Sequence, residues 1–450
     1  MLLPLSNSPR DYDWGSRTAI AELLGRQPSG SPEAELWFGA HPGSPSRVTQ
    51  ADGSSTTLDR VIGADPGRAL GRGRTRLPFL LKVLAAERPL SLQVHPDTEQ
   101  ARAGFARENE ASIALDAPER NYRDDSAKPE LILALSERFE ALTGFRHVSE
   151  SRVLVGELKG FASGEDADVL AAFADRLGGG SSDNPVPPGT TGGAADVHSD
   201  GDPGSLPEAE RADRDAAAAP GNPLRDTVAW LLTGDRGEVA GLIEAVSAAA
   251  GNAPEHTSFG REWELVRELA DAYPGDPGVV LSLLLNRVSL IQGQAMFLKP
   301  GSIHAYLSGL GVELMAPSDN VLRGGLTAKH VDAAELLRVV RFEQQPAQII
   351  TPDSPVEGVS VYRTDSDDFV LARIDLGDAG YTHGYRLAGP EQAAFALTGP
   401  AIALALTGGV SVAGASGTAS LGRGDAVYIS PDERELLFSG SGTVVVATTP

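Results

Sequence analysis

Gln93 and His95 stand two residues apart in the stretch SLQVHPDTE, which runs from Ser91 to Glu99. On a strand, that spacing points both side chains to one face of a sheet. An amide and an imidazole placed together either share a buried hydrogen bond or supply two donors to a metal ion. A third donor comes from an internal repeat. GQAMFLKPGSIHAY (293–306) and GDAVYISPDERELL (424–437) share a glycine, a strand and a proline seven residues on. Both fit the same hairpin of a jelly roll, in which the residue four past the proline faces the interior. That residue is His304 in the first copy and Glu435 in the second. A carboxylate is still wanted, because Zn²⁺ or Fe²⁺ held by neutral ligands alone is unusual. The stretch YRDDSAKPELILAL offers Glu130, opening a strand after Lys128 and Pro129. A cluster of buried, mutually hydrogen-bonded polar groups fits the same spacings. Of the other histidines, His41 in GAHPGSPS is the next candidate. His147, His330 and His383 lack a paired ligand nearby, and His198 and His256 fall in a loop and a turn.

The elements that must position these residues are largely strands. From residue 1 to about 96, short apolar runs alternate with Gly/Pro/Ser turns, with one short helix at TAIAELLG. A helix is expected at DTEQARAGFARENE, with Asp97 or Thr98 as its cap and Glu99 in its first turn. KPELILALSERFEALTGF returns to strand composition. Helical periodicity then runs through RVLVGELKGF, DADVLAAFADRLG, RDTVAWLLTGDRGEVAGLIEAVSAAA, REWELVRELADAYP and GVVLSLLLNRVSLI. Between residues 178 and 223 the chain has no aromatic residue and only Val186, Val197 and Leu206 as large aliphatics. Such a stretch cannot bury enough surface to offset its ordering entropy, and it reads as a disordered surface loop. Strands resume after Gln292, and the last hundred residues hold many short ones at regular spacing, the pattern of a sandwich or jelly roll.

Composition narrows the classes of function. At 450 residues the chain exceeds a single core. Its formal net charge of −23 argues against nucleic-acid and anionic-membrane partners. An anionic substrate would need a few local Lys or Arg residues to gather it. The absence of cysteine removes disulfides, thiolate metal sites and a Cys nucleophile. No apolar run is long enough to span a membrane and the N-terminus lacks a signal-peptide pattern, so a cytoplasmic protein is expected.

The stretches SLQVHPD, YRDDSAKPE and PGSIHAYLSGLGVELMAPSDNVLRGGLTAKHVD, with the opening YDWGS…IAELLG…AELWFGAHP, resemble type I mannose-6-phosphate isomerases of the cupin superfamily. The resemblance spans residues 1 to about 340 and fades to the level of fold beyond. It implies a mainly β fold with an inserted α-helical domain: two cupin-type jelly rolls plus the helical domain. The first jelly roll would comprise 1–96, 126–148 and 291–345, the helical domain 97–125 and 149–290, and a metal-free second jelly roll 346–450. It implies one Zn²⁺ per chain, held by Gln93, His95, Glu130 and His304. It further implies reversible conversion of mannose 6-phosphate to fructose 6-phosphate through an enediolate, feeding mannose and GDP-mannose metabolism. Arg323 matches the family's catalytic arginine. Lys128 and Lys329 match pocket lysines, and Ser91, Glu313 and Tyr306 match other substrate-binding positions. Asp319, Lys128 and a metal-bound water are the candidates for moving the proton. Where many relatives read Asn-His-Lys-Pro-Glu, this chain has Ser126-Ala127-Lys128-Pro129-Glu130, so no proton shuttle through that histidine operates. A monomer acting on a small sugar phosphate is expected. Two rivals remain on the same fold: an Fe²⁺ oxygenase, which generally wants two or three His plus a carboxylate, and a sugar-phosphate sensor without catalysis.

Overall fold

The computed structural model describes residues 1–50, 52–178, 221–382 and 385–450. His198, His383 and residues 179–220 of the stretch expected to be disordered lie outside the described residues. The rest is mainly antiparallel β-structure in two large sheets, of ten and eleven strands, with a helical portion.

In the ten-stranded sheet the strands run in the order Leu322–Gly325, Leu92–Val94, His304–Met315, Glu130–Ala134, Ala295–Leu298 and Ile349–Ile350. The long strand His304–Met315 organises it. Its first residues pair with Leu92–Val94 and Arg138–Phe145, and its second half pairs with Leu80–Ala86 and Glu130–Ala134. The strand therefore crosses from one set of partners to the other, with an irregularity between Tyr306 and Ser308. Gly309 makes the crossing feasible: its φ is 125°, and a Cβ there would lie 2.9 Å from the Arg138 carbonyl oxygen and from Phe139 Cα.

Alternation along these strands divides two faces. Leu81, Val83, Leu131, Leu133, Val312 and Leu314 pack outward against Ile402, Leu404, Tyr428, Val445 and Ala447 of the second sheet. Leu84, Ile132, Phe139, Met296 and Tyr306 gather on the other face. Lys82, Glu130 and Glu313 fall in the inward set by parity. Both faces of the sheet are covered, which is why LLKVLAA is buried at every position and is apolar everywhere but at Lys82.

The helix at Thr98–Glu110 starts as expected. The Asp97 carboxylate accepts the Gln100 N–H at 2.9 Å and the Gln100 side chain accepts the Asp97 N–H at 3.0 Å. Helices Val148–Lys159, Glu165–Arg176, Pro223–Thr233, Arg236–Asn252 and Gly260–Ala272 bury their apolar stripes on Leu92, Val94, Leu142 and Phe145 of the sheet. His147 caps the first of these.

Several expectations change. The N-terminal hundred residues hold three short helices, at Ala19–Leu23, Leu58–Ala64 and Pro66–Leu70, not one. RDTVAWLLTGDRGEVAGLIEAVSAAA divides in two because the Asp235 side chain caps the second helix by accepting from Gly237 and Glu238. GVVLSLLLNRVSLI is helical only over Gly278–Leu281. A 3₁₀ turn follows, then the strand Leu285–Ile291 paired with Arg138–Phe145. A continuous apolar run does not distinguish buried strand from buried helix, and here an available sheet edge decided it. The strands Leu2–Ser6, Arg47–Thr49 and Ser55–Thr57 belong to the eleven-stranded sheet, where Leu2 pairs with Ile429.

The repeat holds as topology. Ala295–Leu298 reaches His304–Met315 through Glu130–Ala134, and Ala426–Ile429 reaches Glu435–Thr448 through Ala401–Ala405. In neither copy do the two strands pair directly. The inward position assigned to Glu435 is wrong: Glu435 is exposed, whereas Leu436 and Phe438 are buried. A 3₁₀ turn at Pro431–Glu433 and Arg434 at φ 60° deliver the second copy with its parity shifted by one.

Candidate active site

His95, Glu130 and His304 converge inside the ten-stranded sheet, all buried, with ligand atoms within 4.8 Å of one another. His95 Nδ1 lies 2.7 Å from the Asn320 carbonyl oxygen and His304 Nδ1 lies 3.0 Å from that of Ser302. Only N–H donors satisfy those carbonyls, so a neutral imidazole at either position carries its lone pair on Nε2. His95 Nε2 then faces Glu130 Oε1 at 3.3 Å, and His304 Nε2 faces Glu130 Oε2 at 3.4 Å. The two nitrogens and Glu130 Oε2 have no hydrogen-bond partner. Lone pairs meeting lone pairs in a buried pocket call for a cation. Donors about 2.0–2.1 Å from a tetrahedral ion stand about 3.3–3.4 Å apart, which the observed spacings fit.

The protonation states suit a metal. Burial, aided by Lys128, pushes His95 down to about 4, keeping the imidazole neutral at pH 7. Burial works to raise the Glu130 pKa, but Lys128 and His95 outweigh it and hold the carboxyl well below its usual range. Lys128 Nζ sits 3.2 Å from Glu130 Oε1. Gln93 is the direct ladder partner of His304 on one side and of Arg323 on the other. Its neighbours Leu92 and Val94 face the helical core, so its side chain takes the inward face, while Ser91 lies just before the strand.

Beside the triad, Trp37, Lys82 and Glu313 form a row across three strands. Lys82 Nζ lies 2.9 Å from Glu313 and 3.5 Å from Glu35, and the Trp37 indole N–H donates to Glu35 at 3.0 Å. Burial opposes the charge on Lys82, but Glu313, Glu35 and Glu130 together raise its pKa above the ordinary lysine value. Burial also raises Glu313, with Lys82 opposing. The Tyr306 hydroxyl is buried without a hydrogen-bond partner, and burial together with Glu313 keeps it protonated. None of Glu35, Trp37 and Lys82 was singled out from sequence. A lysine inside an otherwise seamless apolar strand was the available signal.

Asp319 does not pair with Arg323. His41 takes it: Nδ1 of His41 accepts the Gly43 N–H at 3.1 Å, leaving Nε2–H directed at Asp319 Oδ2, 3.4 Å away. That contact is the main cause of the lowered Asp319 pKa. Asn320, fully buried, ties the two loops of the site together. Its side-chain oxygen accepts the Arg123 and Asp124 N–H groups at 2.7 and 3.1 Å, and its amide donates to the Asp124 and Ser126 carbonyls, both at 2.9 Å.

Arg323 and Lys329 have no ion-pair partner among the described residues. Burial first, then the nearby Arg123, lowers the pKa of Arg323. For Lys329 the order is burial, Arg323, then Arg123. Three cations thus share one side of the pocket in a chain whose net charge is −23. Sequence reading identified two of them and missed Arg123.

Known proteins resemble this chain in sequence and in fold. The family described as "Phosphomannose isomerase type I, catalytic domain" matches residues 2–148. The mannose-6-phosphate isomerase of Escherichia coli (strain K12) is 35% identical over 444 residues, covering 97% of each chain. That of Salmonella typhimurium is 38% identical over 378 residues, covering 83% of each. A zinc-bound crystal structure of mannose 6-phosphate isomerase superposes with a TM-score of 0.78 at 32% identity, covering 100% of this chain and 99% of the other. No helix of the described residues is long and apolar enough to cross a membrane. The chain belongs to the family of type I mannose-6-phosphate isomerases.

Proposed function

We propose that this protein interconverts mannose 6-phosphate and fructose 6-phosphate through an enediolate, supplying mannose metabolism and GDP-mannose synthesis from the cytoplasm, and that its two sheets are cupin-type jelly rolls. The observation that carries the reading is the proton-free meeting of His95 Nε2, His304 Nε2 and the Glu130 carboxylate beside unpaired cations, in a member of this family. Gln93, His95, Glu130 and His304 would hold one zinc ion, with the amide as the neutral fourth ligand. Bound there, zinc supplies Lewis acidity toward the substrate oxygens.

The chain's own residues account for the rest. Arg323, Lys329 and Arg123 offer guanidinium and ammonium groups to the phosphate, the only dianion in the substrate. Arg323 sits next to Gln93 on the ladder, so it also reaches the reacting end and stabilises the oxyanion that develops as the C2 proton leaves. Ser91 and Tyr306 present hydroxyls to the sugar. Glu313 accepts from it, with its own charge balanced by Lys82. Lys128 and Asp319 flank the pocket with groups that can hold the migrating proton. Asp319 stays ionised because of His41, which suits a base, and Ala127 rules out a histidine in that role.

The test pairs elemental analysis with a coupled isomerase assay on mannose 6-phosphate. Chelation should abolish turnover and added Zn²⁺ should restore it, and His95→Ala should lose both metal and activity. Full-rate turnover by metal-free protein, or none by zinc-loaded protein, would sink the proposal.

A further inference from the structure

Among the described residues Arg323 and Lys329 are held by no ion pair, so their placement depends on the backbone between them. That backbone is unusual. Gly325 has φ 144° and Leu326, a buried leucine, has φ 53°. Leucine adopts the left-handed region only where its surroundings enforce it. The enforcing group comes from the far end of the helical portion, in YPGDPG. Asp276 Oδ1 accepts the Leu326 N–H at 2.8 Å and the Gly278 N–H at 2.7 Å, and Oδ2 faces the Thr327 N–H at 3.3 Å. Asp276 is itself fixed, since its N–H donates to the Tyr273 carbonyl and its carbonyl accepts from Val279, both at 3.1 Å. The segments touch backbone to backbone. A Cβ on Gly325 would stand 2.8 Å from Asp276 Oδ1 and 3.1 Å from Gly278 Cα, and one on Gly278 would stand 2.8 Å from Leu326 Cγ. A carboxylate that receives successive N–H groups of a left-handed turn fixes its direction, because turning the buried segment away would leave those donors without an acceptor.

We propose that Asp276 is a positioning residue for the isomerisation: it locks the 325–327 turn and thereby sets Arg323 at the reacting end and Lys329 at the phosphate end of the pocket. This rests on the roles assigned to those two cations above. The helical portion then takes part in the activity through one side chain, not merely through packing.

The experiment is a double-mutant cycle on the zinc-loaded full chain, with Asp276→Ala, Asp276→Asn, Arg323→Ala and the double variant Asp276→Ala/Arg323→Ala. Displacing a catalytic group by about 1 Å costs on the order of 10²-fold. Asp276→Ala should therefore lower kcat/KM by roughly that factor with zinc content unchanged. Asp276→Asn should fall between, since its remaining oxygen still accepts from Leu326 while its amide N–H₂ meets the Thr327 N–H. In the Arg323→Ala background, Asp276→Ala should lower kcat no further. A loss of kcat that multiplies with that of Arg323→Ala, or wild-type kinetics in Asp276→Ala, overturns the proposal. Amide hydrogen exchange at Leu326 and Thr327 gives an independent reading. Protection there should drop in Asp276→Ala, and unchanged protection overturns the locking role even if Arg323 itself proves dispensable, an outcome that would count against the site assignment instead.

Discussion

At the scale of residues, the site is defined by which atoms lack protons. Two backbone carbonyls hold Nδ1 of His95 and His304, so in the neutral rings Nε2 of each turns its lone pair toward the Glu130 carboxylate and the three form a cation site. Arg323 lies outside this set and should separate from it experimentally. Arg323→Ala is expected to keep its zinc and lose kcat by roughly 10²–10³-fold, as for other oxyanion-stabilising donors. Arg323→Lys should rescue poorly, since an ammonium does not reproduce the planar fork. A raised KM at unchanged kcat would reassign it to phosphate binding alone. His95 supplies a pH dependence. Burial lowers its pKa in the folded chain from an ordinary 6.5 to about 4, so between those values the unfolded chain binds more protons. Chelated protein should lose stability as pH falls from about 6.5 toward 4, and the slope contributed by His95 should vanish below that window. Melting curves of metal-free wild type and His95→Gln across this range check it. Parallel pH profiles would show that His95 titrates alike in both states.

At the scale of elements, one strand does most of the positioning. His304–Met315 carries His304 and Tyr306 near its start and Glu313 near its end, and it brings Gln93, Lys82 and Glu130 alongside through three of its four partners. Its passage between partner sets depends on Gly309. A side chain there would need φ 125° and would meet the Arg138 carbonyl oxygen and Phe139 Cα at 2.9 Å. Gly309→Ala should destabilise the protein by about 1–3 kcal/mol or more, read from denaturant midpoints. It should also weaken zinc binding, because His304 lies five residues before the kink. A variant of wild-type stability would mean the strand crosses without needing glycine.

At the scale of the whole molecule, the two sheets share one apolar layer. Leu81, Val83, Leu131 and Leu133 of the site-bearing sheet meet Ile402, Leu404, Tyr428 and Val445 of the other. The chain's first strand is built into the second sheet. The second sheet therefore covers the outward face of the strands whose inward face carries the site. Glu435 lies on the surface and not at the inward position that His304 takes in the first copy. Glu435→Gln should leave kcat nearly unchanged, and metal analysis should find one zinc per chain. A second tightly bound equivalent that disappears with Glu435 would contradict this.

The sequence by itself determined which side-chain types could hold a metal, the strand around Gln93, the start of the Thr98 helix and the mainly β character, because each depends on neighbours within a few positions. Resemblance of the 301–332 block then joined His304, Arg323 and Lys329 to the distant Gln93 and Glu130. What only the tertiary structure decided was everything set by contacts far apart in the chain. GVVLSLLLNRVSLI carries no periodicity that separates strand from helix, and its second half became a strand because Arg138–Phe145 presented a free edge. The exposure of Glu435 follows a 3₁₀ turn at Pro431–Glu433 and Arg434 at φ 60°, neither of which composition reveals. Lys82 is the one polar break in an apolar strand, but its role exists only once Glu35 and Glu313 arrive on neighbouring strands. His41, Asn320 and Asp276 each act on a partner between about 50 and 280 residues away, and only the folded chain brings those donors and acceptors within reach.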